Sequence, residues 1–292
     1  MKHQLDLSKT QAELLLGDGN KIAGEEFVPL ARKMAAEPHW NVSALRTLAE
    51  WKPTEAQALL VRNIWFTNTG FQASGADEAT MGRLHLPVTP MPDMNLVLKE
   101  KLRTGSVLGL TSYYLQQFGT PELLPAAIEC YEQRGGRGNP VIQKFFLWYW
   151  LRCDPKGGTE ALAHALEYRS VSHNYKFLLK DVLLERWTPE ALPLVLRSLD
   201  DPDADVVTSA ILVLEAHGAG EDNLEHCLSA LKRASLLPPG TEKSAAPGVI
   251  HSVAKRLMES RNWSYTPEQK AMLNDLVKDG LVGSSQVRPQ YR

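Results

Sequence analysis

Three times in this chain a threonine, a proline and a glutamate stand in a row: Thr120-Pro121-Glu122, Thr188-Pro189-Glu190 and Thr266-Pro267-Glu268. Each puts a capping residue before a proline at the first helical position and a carboxylate in the first turn, where the helix dipole favours it. Lys52-Pro53-Thr54-Glu55 is a looser version of the same signal. Between these starts apolar residues recur at helical spacing, and strand-like alternation hardly ever runs past four residues, so the chain reads as all-α. Amphipathic helices are expected over 105–118, 121–133, 139–153, 159–169, 172–186, 189–199, 203–217, 221–234, 246–260 and 267–279, with three more at 25–36, 41–51 and 53–66. Helix pairs recur from Thr120 to Thr159 and from Thr159 to Thr188, which is the period of an α-solenoid rather than of a bundle.

One unit carries a motif. Pro189-Glu-Ala-Leu-Pro-Leu-Val-Leu-Arg-Ser-Leu199 is followed by Asp200-Asp-Pro-Asp203, then by Asp205-Val206 leading to Ala210, Leu214 and Gly218. From Pro189 to Gly218 this stretch resembles the HEAT repeat: an apolar first helix, an Asp-Pro turn, and a second helix with valine and alanine packed inward. Val207 stands where many HEAT repeats carry an arginine, which takes away the cation of their usual Asp–Arg ladder. The resemblance implies a right-handed α-α superhelix, a HEAT-like solenoid, with residues 1–66 as its N-terminal helices and residues 94–282 as its helix pairs. Residues 67–93 hold 14 Gly, Pro, Ser, Thr, Asn or Asp in 27 positions and are expected as a long loop or insertion, either functional or a hinge. Residues 283–292 read as a polar tail.

With 292 residues, 43% of them hydrophobic and 23% charged, the chain can bury a core without disulfides or metals. Lys and Arg number 32 against 34 Asp and Glu, which excludes a surface basic all over. Cys130, Cys153 and Cys227 have no C-x-x-C spacing and suit a reducing compartment. The longest apolar run, Phe145 to Leu151, is far short of the roughly 20 residues of a membrane helix, and Met1 to Asp6 lacks a signal-peptide core, so a cytoplasmic chain without a membrane partner is expected.

Charge is sorted along the chain. Residues 134–180 hold eight cations against Asp154, Glu160 and Glu167, whereas residues 181–225 hold eleven acids against Arg186 and Arg197. On a solenoid this sorting becomes a basic band beside an acidic band, either a groove matched to a partner or simply solvated faces. Second helices 139–153 and 172–186 would place Lys144, Arg152, Lys176, Lys180 and Arg186 in one concave patch with Tyr175 at its edge. Lys176 and Lys180, at i and i+4, share a helix face.

Other groups weigh less. Phe145 to Trp150 is simplest as a central buried helix, with stacking on a partner as the alternative. Glu215, His217, Glu221, Asp222, Glu225, His226 and Cys227 crowd one turn and are of zinc-ligand type, but no spaced pair fixes a geometry and a solvated acidic turn is the simpler reading. Gly135-Gly136-Arg137-Gly138 lacks the Gly-Lys-Ser/Thr of a phosphate loop, and Gly17-Asp18-Gly19-Asn20 reads as a turn. No catalytic residue, metal or cofactor is expected. The function expected is a non-catalytic scaffold or adaptor that binds a protein partner on the concave face. By resemblance, the runner-up is a HEAT-like DNA-binding protein or DNA glycosylase, with nucleic acid on the basic patch. A HEAT-like chromophore lyase comes third. HEAT-like di-iron hydroxylases are disfavoured, because none of the eight histidines precedes a glutamate.

Overall fold

The structure is a computed structural model and describes residues 24–35, 42–62, 64–67, 70–73, 88–105, 108–133, 140–168, 175–218, 221–238, 241, 243–245 and 248–284. The turns expected at 17–20 and 135–138, most of the loop 67–93, His173 and Asn174 ahead of Tyr175, and the tail from 285 lie outside these. The described residues are helical, with one short hairpin, and the chain divides into two compact units, Met1–Tyr149 and Trp150–Arg292.

The first unit opens with α1 (Val28–Ala35), α2 (Val42–Trp51) and α3 (Pro53–Arg62), and Arg32 on α1 grips the Glu55 carboxylate on α3. Two expectations are corrected here. The helix expected over 53–66 ends at Arg62, and the chain turns into β1 (Ile64–Thr67), paired antiparallel with β2 (Gly70–Ala73) in the register Ile64 to Ala73 through Thr67 to Gly70. Ile-Trp-Phe-Thr is a β-branched and aromatic run with only two residues between the strands, the spacing of a tight hairpin. Helix α4 (Asn95–Thr104) had no counterpart among the expected segments; it ends at Gly105, whose φ of 67° closes it in the left-handed region, and α5 (Leu108–Phe118) follows.

Helix α5 is the buried centre of this unit. Tyr113, Tyr114, Leu115 and Phe118 are all at 1% exposure or less. The Gln116 amide donates to Gln117 Oε1 at 3.1 Å, and Gln117 donates to Gln57 Oε1 of α3 at 3.1 Å. Helices α6 (Leu124–Gln133) and α7 (Pro140–Cys153) complete the unit, with Phe145 edge-on to Tyr113 at 5.5 Å and Phe146 beside Tyr131 at 5.8 Å. The run Phe145 to Tyr149 is therefore core, as its unbroken apolarity predicts. The unit boundary falls within α7.

The second unit contains α8 (Pro155–Glu167), α9 (Tyr175–Leu183), α10 (Leu192–Ser198), α11 (Ala204–Ala216), α12 (Leu224–Ser235), α13 (Val249–Glu259) and α14 (Pro267–Ser284). Helix α8 starts at Pro155 rather than at Thr159, because Asp154 accepts the Gly157 N–H at 3.0 Å and caps it. Of the three Thr-Pro-Glu starts, only Thr266 caps with its side chain: Gln269 N–H donates to Thr266 Oγ1 at 3.3 Å and the Gln269 side-chain Oε1 accepts from Thr266 N–H at 2.9 Å, a reciprocal capping box. At Thr120 and Thr188 the proline instead opens a 3-10 turn closed by backbone bonds, Leu123 N–H to Thr120 O and Ala191 N–H to Thr188 O. Helix α11 is packed by α9, α10, α12 and α13, and α13 also packs on α14.

Candidate functional site

The proposed basic patch is tested first by the N-terminus of α11. The Asp-Pro turn before it is held by Asp201 Oδ1, which accepts the Asp203 N–H at 2.8 Å, and Asp203 Oδ1 in turn caps the helix by accepting the Asp205 N–H at 3.0 Å. Asp203 Oδ2 receives the Tyr175 hydroxyl at 3.0 Å and lies 3.1 Å from Lys176 Nζ, which is 3.7 Å from Asp205 Oδ2. Ser209 Oγ ties the same helices by donating to the Lys176 and Asp205 carbonyls. The Lys176 side chain is 10% exposed and Asp203 2%. Burial acts to lower the Lys176 pKa, but the hydrogen bond to Asp203 and the charges of Asp203 and Asp205 outweigh it, so the ammonium sits above its ordinary value.

This corrects the exposed placing of Tyr175 and Lys176. The i, i+4 spacing puts Lys176 and Lys180 on one side of α9 but does not say what that side meets. The acids of the next pair take Lys176 into the helix interface. Lys180, half-buried, holds its ammonium 4.9 Å from the Phe177 ring centre.

The remaining candidates divide further. Arg186 is half-buried, and its pKa is lowered first by that burial and also by the positive charge of Arg152, against a raising contribution from Glu185. Arg152 and Arg186 are thus electrical neighbours. Lys144 belongs to the first unit, where its ammonium lies 4.9 Å from the Trp148 ring and 5.4 Å from that of Phe145.

The crowded turn after α11 disperses its would-be ligands. Glu215, 6% exposed, accepts from Arg256 Nε at 2.9 Å and Ser260 Oγ at 2.8 Å, clasping α13 onto α11. His217 stacks on Trp187 with centroids 4.8 Å apart and shares a 2.8 Å hydrogen bond with the Leu183 carbonyl. His226 bonds Asp200, and Glu225 accepts from Gln269. Cys227 is buried, and burial pushes its thiol up to about 12. Among the described residues no three His, Cys, Asp or Glu gather to hold a metal ion.

Sequence reasoning missed an open groove of about 480 Å³ between α8 and α10. Its apolar lining is Ala163 and Leu166 from α8, Leu194 from α10 and the exposed Pro202 of the turn. Along its rim Arg197 Nη2 faces Glu167 Oε1 at 3.5 Å, and Asp200 and Asp201 follow. Asp200 Oδ1 meets His226 Nε2 at 3.0 Å and Arg233 Nη2 at 3.5 Å. The His226 hydrogen bond, then the charges of His226 and Arg233, hold the Asp200 carboxyl below its usual range. The Asp-Asp-Pro-Asp run was the available signal, but as a turn motif it says nothing of the neighbouring pair's first helix. Chemically the groove offers aliphatic contact and accepting oxygens, the complement of a cation on an apolar stem. No helix among the described residues is long and apolar enough to cross a membrane. No family model, curated protein or solved structure matches the chain.

Proposed function

We propose that this chain is a non-catalytic scaffold that binds a protein partner along HEAT-like helix pairs stacked into a right-handed superhelix. The observation that carries the reading is the packing order of the second unit, where α11 lies against both α9 and α13, so that every second helix meets the one two elements on. Such stacking is the way helix-pair repeats bury faces that a single pair leaves bare, and it yields an extended surface suited to a macromolecular partner. The helix starts support the same reading: Pro121, Pro155 and Pro189 follow one another at equal intervals, a more even period than Thr159 suggested.

The second reading, a HEAT-like DNA-binding protein or glycosylase, draws on the neighbouring Arg152 and Arg186. It is weakened by Lys176, whose charge is met inside the fold by Asp203 and Asp205. Proximity labelling in the source cell, followed by reconstitution with the purified labelled protein, tests the scaffold. The expected result is a stoichiometric complex whose affinity changes mildly with salt. Micromolar binding of duplex DNA at physiological salt, falling steeply as salt rises and lost in Arg152→Glu/Lys180→Glu, overturns it in favour of the second reading.

A further inference from the structure

The groove between α8 and α10 joins an apolar lining to a carboxylate rim, and the charges around it are unevenly engaged. Of the acids in the Asp-Pro turn, Asp203 and Asp205 are satisfied inside the fold by Lys176. Asp200 is different. Its side chain is 62% exposed, and the hydrogen bonds from His226 and Arg233 both fall on Oδ1. His226 and Arg233, which make those contacts, come from α12, whereas the groove is built by α8, α10 and the turn. Across the groove the Glu167–Arg197 pair is 3.5 Å long between side chains about two-thirds exposed, the kind of surface pair that an incoming cation can exchange with. Among the groove's own lining residues three carboxylates, Glu167, Asp200 and Asp201, stand against one cation, Arg197, so the lining favours positive charge.

We propose that this groove docks a short basic segment of the protein partner, with a lysine or arginine head on Asp200 Oδ2 and Asp201 and its apolar neighbours on Leu166, Leu194 and Pro202. The inference rests on the scaffold reading and names the chemistry of its partner at one place. It also reverses the polarity expected from the basic band, since the docked segment is cationic. Long basic side chains suit such a site because their methylene stems cover apolar surface while the head stays at the polar rim.

The test uses the full chain, isotopically labelled, with a synthetic peptide of four Leu-Arg repeats and a matched peptide of four Leu-Glu repeats. The expected result is that the basic peptide shifts amide resonances of 163–167 and 194–201, and that Asp200→Asn/Asp201→Asn weakens it at least tenfold. Asparagine keeps an acceptor for the Asp203 N–H, so the melting temperature should hold, and Lys278→Glu, at an exposed lysine of α14 outside the groove, should leave the affinity unchanged. Equal binding of the acidic peptide, shifts confined to other residues, or indifference to the double substitution overturns the groove. The two readings fail separately. A reconstituted partner that binds the double variant as well as the native chain overturns the groove and leaves the scaffold, whereas peptide bound at the groove in a chain that labels no protein partner overturns the scaffold and leaves the groove's chemistry.

Discussion

Lys176 shows how a charge that sequence assigns to the surface becomes part of the interior. Its two carboxylate partners lie at the N-cap and first turn of α11, across a turn and a whole helix, and no local spacing announces them. Removing one member of a buried pair strands the other, at a typical cost of about 3–5 kcal/mol. Lys176→Met should therefore lower unfolding stability in urea by that order, whereas Lys180→Met, which gives up a half-buried contact with Phe177, should cost well under half as much. The pH dependence has a definite sign. Because the folded pKa of Lys176 is raised above the ordinary lysine value of 10.5, its stabilisation is fully present below that value and is lost as pH rises through the folded pKa; stability of the native chain should fall more steeply than that of Lys176→Met in alkaline titration. The cysteines give a second residue-scale prediction. Cys130 and Cys227 are buried and the Cys227 thiol is pushed up to about 12, while Cys153 is partly exposed, so a thiol reagent at pH 8 should modify Cys153 first and reach Cys227 only on unfolding. Peptide mapping that finds Cys227 modified as early as Cys153 would contradict this burial. Apolar burial was legible in the sequence at this scale, as Phe145 to Tyr149 shows, because the run is apolar on every face of a helix. Charge placement was not, since i, i+4 spacing groups residues without saying what they face.

At the scale of elements, α8 turns on Asp154 and on two glycines in its first turn. Gly158 is buried, and a Cβ there would lie 2.7 Å from Leu151 N and 2.8 Å from Leu151 Cα, so the backbone of α7 passes over this position. Two effects compete in Gly158→Ala: alanine gains about 1 kcal/mol of helix propensity, and overpacking against backbone costs about 1–3 kcal/mol. Backbone cannot rotate aside as a side chain can, so the clash should win, and a lowered urea midpoint is the expected outcome; an unchanged or raised midpoint would mean that α7 and α8 separate without cost. Elements with long, clean periodicity were read from sequence within a few residues, α7, α11 and α12 among them. The start of α8 was set four residues late because Asp154-Pro155 was passed over for Thr159. Helix α4 and the hairpin were lost for a different reason. Strand β1 was read as the end of the helix expected over 53–66 and β2 as part of the Gly- and Pro-rich loop 67–93, because four-residue strands fall below the length at which alternation can be told from chance, and α4, just beyond that loop, was given no element.

Across the whole molecule, stability should follow how many neighbours enclose each helix rather than its own propensity. In the second unit α11 is enclosed by α9, α10, α12 and α13, and all but one of its residues from Ala204 to Glu215 are buried. Polar ties reinforce it at both ends: Lys176, Tyr175 and Ser209 at its start, and Glu215 with Arg256 and Ser260 at its finish. Helix α14, in contrast, buries Leu273 and Leu276 against α13 and α12 on one side and presents charged residues on the other. In the first unit α5 holds the corresponding central place, buried throughout Thr111–Phe118. When elements are held by nearest neighbours, a terminal helix opens by losing one interface, whereas a central one opens only when several are lost together. Native-state hydrogen exchange should accordingly show α11 and α5 as the slowest segments of their units, with α14 exchanging orders of magnitude faster than α11. Lys176→Met sharpens the test, because it loosens the α9–α11 contact without touching α13 or α14: exchange in α9 and α11 should accelerate together, while the ratio of α13 to α14 stays as in the native chain. Uniform acceleration of every helix of the second unit would mean that the unit opens as one cooperative block, and the stacked-pair account of its stability would then fail.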